Sequence, residues 1–187
     1  MHLIEVERKR ELGDSRGLRE RLFALGFQES EQFTETDIYY SRPDVDYLET
    51  VECLRVRQRD SFAEITYKPP SDSVTHRAGG VIAKQETNVV LGGVEQAAAA
   101  NRLLCAVGMV ELVRVVKNRV TYRHPGREEV VVSIDAVDGA GTFVETEITA
   151  ADSRSAATRL AVLERELGIG GLGVVEVRYR DLVMAGR

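Results

Sequence analysis

Charged and apolar residues alternate with a period of two in several short segments of this chain, and this alternation constrains the fold more than any other feature. The first such segment, IEVERKREL, runs from Ile4 to Leu12. A β-strand turns alternate side chains to opposite faces, so Glu5, Glu7 and Lys9 would form a row with a spacing of about 6.6–7 Å. A solvent-exposed strand face is enough to explain this segment by itself.

Further strand-like segments repeat the pattern and divide into an acidic and a basic set. The acidic positions are Glu5, Glu7, Glu86, Asp135, Glu145 and Glu147, and the basic positions are Lys9, Arg55, Arg57, Lys68, Lys84, Lys117 and Arg119. If the sheet curls with these faces inward, its interior is a polar tunnel and its apolar faces pack against helices. Lys84 fits a tunnel position and an exposed loop edge equally well.

Three helices are predicted between the strand-like segments, and each is ended by a glycine. They begin at Asp14 or Ser15, after Gly92-Gly93, and near Thr149 or Asp152, and they end at Gly26, Gly108 and Gly168. Helices and strands do not alternate regularly, so an α+β fold with a largely antiparallel sheet is predicted. No internal repeat or linker-like segment divides the chain, and residues 1–187 are therefore predicted to form one domain.

Composition argues against two classes of partner. The formal net charge of −5 is the opposite of the basic excess that general nucleic-acid binders usually show. The N-terminus lacks the apolar segment of a signal peptide, and no uninterrupted apolar run approaches about 20 residues. We therefore expect a cytoplasmic protein with neither a nucleic-acid nor a membrane partner.

Physical chemistry restricts what a tunnel with these walls could hold. Carboxylates gathered in a partly desolvated cavity repel one another and take up protons unless a cation lies among them. Ligands that are all oxygen atoms favour a hard ion, Mg²⁺ or Mn²⁺. Lysine and arginine on the facing walls favour an anion, and the forked guanidinium group matches phosphate oxygens. Inward-facing strands therefore predict a metal–polyphosphate site, whereas outward-facing strands predict none.

Other motifs point less clearly to chemistry. Residues 168–173, GIGGLG, satisfy the pattern GxGxxG, but a dinucleotide site needs a strand before the motif and a helix after it. Here a helix is predicted before the motif and a strand at Val174–Val177 after it, which favours a helix end followed by a turn. No P-loop motif is present. The three histidines are scattered along the chain, which disfavours a histidine-based site.

Taken in order, the charged segments resemble the CYTH superfamily, also called triphosphate tunnel metalloenzymes. The corresponding segments are ExExK at Glu5–Lys9, LRVR at Leu54–Arg57, TYK at Thr66–Lys68, a basic-x-acidic pattern at Lys84–Glu86, KNR at Lys117–Arg119, and DAVDGAGTFVETE at Asp135–Glu147. ExExK alone is unspecific, but six segments in the same order are specific. Residues Asp37–Arg57 and Ile134–Glu147 most resemble class IV, or CyaB-type, adenylate cyclases.

The resemblance implies a single-domain, eight-stranded antiparallel tunnel barrel with flanking helices, which binds a triphosphate and one or two Mg²⁺ or Mn²⁺ ions. Implied metal ligands are Glu5, Glu7, Glu145 and Glu147, with Asp135 and Glu86 in support. Implied phosphate-binding residues are Lys9, Arg55, Arg57, Lys68, Lys117 and Arg119, to which the pattern adds Lys84. Lys9, Glu5 and Glu7 are the catalytic candidates. Members of the superfamily are often dimers, which makes a homodimer an expectation, although no interface stripe stands out.

Fold alone does not select the reaction, because the superfamily includes enzymes for ATP cyclisation and for hydrolysis of thiamine triphosphate or inorganic triphosphate. The leading expectation is conversion of ATP to cyclic AMP and pyrophosphate. The alternatives are a triphosphatase and a non-catalytic polyphosphate-binding module. Asn88, where many members have a second acid, and Arg178-Tyr179, in place of a frequent Ser-Tyr, weaken the cyclase expectation more than the superfamily resemblance.

Overall fold

The computed structural model describes residues 4–70, 76–77, 81–82 and 86–186. Lys84, one of the predicted phosphate-binding residues, lies outside these ranges. The backbone of Glu5 belongs to a described strand, but its side chain lies outside the described part of the structure.

The strands in the described ranges belong to one antiparallel sheet, with the order β5-β6-β1-β10-β9-β8-β2-β3-β4-β7. They are β1 (Ile4–Glu11), β2 (Gln28–Ser41), β3 (Cys53–Arg59), β4 (Phe62–Lys68), β5 (His76–Arg77), β6 (Val81–Ile82), β7 (Thr87–Leu91), β8 (Val110–His124), β9 (Arg127–Val137) and β10 (Gly141–Ala150). Of these, β5 and β6 have two residues each, and the other eight have five or more. The predicted fold class is thus confirmed in its eight long strands. Within the described residues, the hydrogen-bonded order is open rather than closed into a ring.

The described residues include four helices beside the sheet, and the three predicted ones are confirmed. They are α1 (Arg16–Ala24), α2 (Val94–Ala106), α3 (Ser153–Glu166) and α4 (Tyr179–Ala185). Gly26, Gly108 and Gly168 follow the first three with φ angles of 86°, 91° and 75°, which glycine adopts without a Cβ clash. No helix in the described ranges has both the length and the apolar character needed to cross a membrane.

The fourth helix was not predicted, and the predicted strand at Val174–Val177 is wrong. In this segment Val174 forms an isolated bridge with Arg10, and Tyr179 begins a seven-residue helix. That helix buries Tyr179, Arg180 and Val183. An arginine on the buried face conceals the helical apolar period, which is why the sequence pattern did not reveal α4.

Helix α3 packs against β1 and β10 and fixes which face of β1 points outward. Even-numbered Val6 lies in the apolar core with Leu160 and Leu163 of α3. Arg10, on the same face, donates to both carboxylate oxygens of buried Glu164, from Nε at 2.9 Å and from Nη2 at 2.8 Å. Glu7 and Lys9, at odd-numbered positions of β1, therefore point to the opposite face of the sheet.

Glu164 gives the fold a predictable dependence on pH. Burial raises the pKa of Glu164, but hydrogen bonds from Arg10 and Arg8 lower it by more, so that it lies below its usual value. A depressed folded-state pKa contributes stability above the unfolded-state pKa of about 4.3, and this stability is lost as the pH falls through the folded-state value. We expect the melting temperature of Glu164→Gln to fall by less between pH 6 and pH 3 than that of the wild type. Parallel melting curves across that range would contradict this assignment.

Candidate active site

The inner face of the sheet surrounds a cavity of about 300 Å³. Glu7 of β1 and Lys68 of β4 both line it, although five strands lie between them in the sheet order. Strands six steps apart in a flat sheet would be separated by about 28 Å, so the sheet curves around the cavity. The predicted site residues that line it are Glu7, Lys9, Arg55, Arg57, Lys68, Glu86, Lys117, Arg119, Glu145 and Glu147.

Two carboxylates face each other across the pair β1–β10. Glu7 is directly opposite Glu147 in the register, and Lys9 is directly opposite Glu145. Directly opposed residues have Cβ atoms about 4.5–5.5 Å apart, where like charges destabilise the sheet. The Glu7–Glu147 pair therefore favours a cation at this part of the wall.

Asp135 lies directly opposite Arg119 in the β8–β9 register and orients it. Its side chain is fully buried, and it accepts hydrogen bonds from Nε of Arg119 at 2.6 Å and from the Tyr179 hydroxyl at 2.8 Å. Arg119 also donates from Nη2 to Glu145. Burial raises the pKa of Glu145, but Arg119 and Lys117 lower it by more, to about 2. Glu145 is therefore an ionised carboxylate shared between the cavity and Arg119.

Two acidic residues that the sequence analysis did not select, Glu35 and Asp37, hold the arginines of β3. Asp37 accepts from Nε and Nη2 of Arg57, both at 2.8 Å, and its Oδ2 lies 3.7 Å from Arg55. Glu35 pairs with Arg57 and with Lys117, each at 2.8 Å. Their positions alternate along β2, so the same period of two could have identified them.

Charge keeps Asp37 ionised. Burial raises its pKa, but the charges of Arg57 and Arg55 lower it by more, so that the pKa lies well below its ordinary value. Both arginines thus have a permanently ionised carboxylate beside them.

Glu86 belongs to the basic side of the cavity in this structure. Its carboxylate lies 2.8 Å from Nζ of Lys68 and 4.0 Å from Arg55. Burial raises the pKa of Glu86, but Lys68 and Arg55 lower it by more, leaving it below the ordinary value. The structure therefore brings Glu86 to two predicted phosphate-binding residues, while Glu7 and Glu147 face each other on β1 and β10.

The segment that follows α3 borders the cavity, which the sequence did not predict. Val175, Glu176, Arg178 and Tyr179 all contribute to the lining. Lys9 donates from Nζ to the carbonyl oxygen of Val177 at 2.6 Å, and Nζ lies 4.1 Å from the centre of the Tyr179 ring. Burial lowers the pKa of Lys9, partly offset by the charges of Glu145 and Glu7.

The opposed carboxylates fit a hard metal ion. Among the side chains that the structure describes, no three Asp, Glu, His or Cys groups converge into a metal site. Mg²⁺, however, is commonly held by one or two protein carboxylates, and water and substrate phosphates supply the other oxygens. Glu7 and Glu147 provide two such carboxylates on the cavity wall. Which residues bind metal, including Glu5, Glu86, Asp135 and Glu145, stays a prediction.

Comparison with protein families decides the relationship. A model of the CYTH domain matches residues 3–175. The chain belongs to the CYTH family. Over 150 residues this CYTH protein is 31% identical to "Putative adenylate cyclase MJ0240" of Methanocaldococcus jannaschii. The matched region covers 80% of this chain and 79% of that protein. The resemblance inferred from the charged segments is therefore confirmed.

Solved structures show the same fold. The PH1819 protein of Pyrococcus horikoshii has a TM-score of 0.77 and 26% identity, and the match covers 98% of this chain and 99% of that one. An adenylyl cyclase homologue from Hippeastrum, whose structure is described as revealing "a dominant triphophatase activity", has a TM-score of 0.64 and 18% identity over 88% of each chain. At that identity the second likeness concerns the fold alone.

Proposed function

We propose that this CYTH protein binds a triphosphate in the cavity and processes it with Mg²⁺ or Mn²⁺, the leading reaction being conversion of ATP to cyclic AMP and pyrophosphate. The observation that carries the proposal is one cavity that combines an opposed carboxylate pair with a basic wall. The wall comprises Lys9, Arg55, Arg57, Lys68, Lys117 and Arg119. Among the reactions, cyclisation is favoured by the 31% identity to a protein named for that activity.

The basic wall is oriented before any ligand arrives. Asp37 holds Arg57 by two hydrogen bonds of 2.8 Å, and Asp135 holds Arg119. Each carboxylate lies on the neighbouring strand, directly opposite its arginine in the register, and both arginines line the cavity. Preorganised donors of this kind stabilise developing charge without reorganising during the reaction, and such stabilisation is the main requirement of phosphoryl chemistry.

In the proposed reaction the ribose 3′-oxygen bonds to the α-phosphorus, the bond from that phosphorus to the pyrophosphate oxygen breaks, and the hydroxyl proton is released. A bound Mg²⁺ or Mn²⁺ ion supplies Lewis-acid polarisation and neutralises phosphate charge. Glu7 and Glu147 would hold that ion, and the basic wall would steady the departing pyrophosphate. Lys9 is proposed to hold or release a proton at Nζ, because burial lowers its pKa.

A second candidate, hydrolysis of the terminal phosphate of inorganic or thiamine triphosphate, is favoured by the composition of the lining. Of its eighteen described lining residues four are uncharged, namely Tyr39, Cys53, Val175 and Tyr179. Such a lining provides many charged groups that can bind phosphates and little apolar surface for a nucleobase. In this reaction a water oxygen would attack the terminal phosphorus and the diphosphate would leave.

Product analysis separates these functions. The purified protein would be given ATP, inorganic triphosphate or thiamine triphosphate with Mg²⁺ or Mn²⁺, and the products would be resolved by chromatography. We expect cyclic AMP and pyrophosphate from ATP. Orthophosphate without cyclic AMP would establish the triphosphatase instead. Tight polyphosphate binding without turnover would identify a binding module, and neither binding nor turnover would overturn the proposal.

A further inference from the structure

Arg180 is the largest fully buried side chain in the described part of the chain. A buried guanidinium group is strongly unfavourable unless its donors are satisfied. Arg180 is the second residue of α4 and directly follows Tyr179, which lines the cavity. Its partners therefore determine what fixes this part of the cavity lining.

The partners of Arg180 join α4 to the loop between β2 and β3, residues 42–52. Nη1 donates to the carbonyl oxygen of Glu52 at 2.9 Å, and Nη2 donates to that of Tyr47 at 3.4 Å. Nε donates to the Asp181 carboxylate at 2.8 Å. One side chain thus anchors the start of α4 to a loop that is more than 100 residues away in sequence.

The loop is a firm anchor because other contacts fix it. The Glu52 carboxylate accepts hydrogen bonds from the hydroxyls of Tyr67 and Thr50, both at 2.7 Å. Val51, immediately before Glu52, has a φ of 63°, a left-handed conformation that is rare for a β-branched residue. Strained backbone of this kind persists only where the surrounding contacts hold it, and it is concentrated at functional sites.

Val177 and Tyr179, which immediately precede Arg180, contact residues of the basic wall or their partners. The Tyr179 hydroxyl donates to Asp135 at 2.8 Å, and Asp135 in turn holds Arg119. Lys9 is bound to the carbonyl oxygen of Val177 and lies over the Tyr179 ring. Residues 177–179 thus connect Arg180 with two predicted phosphate-binding residues.

We propose that Arg180 is a positioning residue for the phosphate site: by fixing residues 177–179 to the β2–β3 loop, it sets where Lys9 and Arg119 present their charges. This inference rests on the proposed function, because that function assigns the two bases to phosphate. Arg180 itself touches no substrate in this arrangement and acts through Tyr179 and Val177.

The test replaces Arg180 by lysine, which keeps the charge but cannot offer the forked donors that reach two carbonyl oxygens. We expect the Kd for inorganic triphosphate, measured by calorimetry without metal, to rise about tenfold, because Lys9 and Arg119 would no longer be held in position for the phosphates. Hydrogen exchange of the Val175 amide, which donates to the Lys9 carbonyl at 2.9 Å, should become faster.

Leu163→Ala, a core variant on α3, is the control for lost stability. It should lower the melting temperature without changing the triphosphate Kd or the exchange of residues 173–179. Tyr179→Phe supplies the second test: if Arg180 acts through Tyr179, the double variant should weaken binding by less than the product of the two single effects. The proposal would be overturned if the Kd effects of Arg180→Lys and Tyr179→Phe multiplied fully in the double variant, or if the Kd of Arg180→Lys equalled that of Leu163→Ala.

Failure of the proposed function is distinguishable from failure of this inference. If the wild type does not bind triphosphate, the proposed function falls, and with it the assignment of Lys9 and Arg119 to phosphate. If the wild type binds triphosphate but Arg180→Lys leaves both the Kd and the exchange of residues 173–179 unchanged, the positioning role of Arg180 alone is overturned.

Discussion

Replacing Glu7 by glutamine is expected to lower metal-dependent turnover of the triphosphate substrate by about 10²–10³-fold while the fold is retained. A metal ion contributes several kcal/mol to the neutralisation of transition-state charge, and each 1.4 kcal/mol is a factor of ten in rate. Glu7 lies opposite Glu147 on the cavity wall, so its carboxylate is half of the proposed cation site. Steady-state rates across a Mn²⁺ titration, with thermal unfolding of each variant, provide the measurement.

The effect on stability should be small compared with the effect on rate. In the absence of metal, Glu7→Gln removes the repulsion between two opposed carboxylates and also the attraction between Glu7 and Lys9, so its melting temperature should stay close to that of the wild type. Glu147→Gln should behave in the same way. Exposed Glu11→Gln, on the same strand, is the matched control and should change neither quantity. Full activity in both cavity variants would remove the metal assignment from this pair.

Replacing Asp37 by asparagine is expected to destabilise the protein by about 3–5 kcal/mol at pH 7, the usual cost of removing one partner from a buried ion pair. Asp37 is buried and accepts two hydrogen bonds from Arg57, with Arg55 close by. The variant leaves these guanidinium groups without that charge. Chemical denaturation at equilibrium gives the free energy of unfolding directly.

Ligand and pH both reveal the origin of this loss. A bound polyphosphate would supply negative charge to Arg55 and Arg57, so inorganic triphosphate should raise the melting temperature of Asp37→Asn by more than that of the wild type. The folded-state pKa of Asp37 is depressed. Its contribution to folding stability is therefore fully present above the unfolded-state pKa of about 4, and it is lost as the pH falls from there through the folded-state pKa. The stability gap between the two proteins should therefore narrow in acid.

Asp44→Asn is the matched control for Asp37→Asn. Asp44 also pairs with an arginine, Arg42, but both side chains are exposed. Solvent screens such a pair, and its removal should leave the denaturation midpoint unchanged. If Asp37→Asn were as stable as the wild type at pH 7, the carboxylate would not be what supports the arginines of β3.

Local sequence signals, such as capping residues and helix-ending glycines, predicted the helices in which the tertiary structure uses those same residues. Helices α1, α2 and α3 each end next to a glycine with a positive φ, and the Asp152 side chain caps α3 by accepting from the Ser155 amide at 2.7 Å. Helix α4 had no such agreement, because its buried face includes Arg180. From sequence alone a charged residue such as Arg180 is expected to be exposed. The carbonyl groups that allow its burial lie in the distant β2–β3 loop.

The period of two determined the faces of the strands, and with them most of the candidate site, because a side chain's parity follows from backbone geometry alone. Parity does not determine how far a sheet curves, nor which residues stand opposite each other. The tertiary structure decided these: it placed Glu7 opposite Glu147 and Asp135 opposite Arg119, and it brought Glu35 and Asp37 to Arg57. Such pairings depend on strand register and on contacts across the whole chain, which no local segment of the sequence contains.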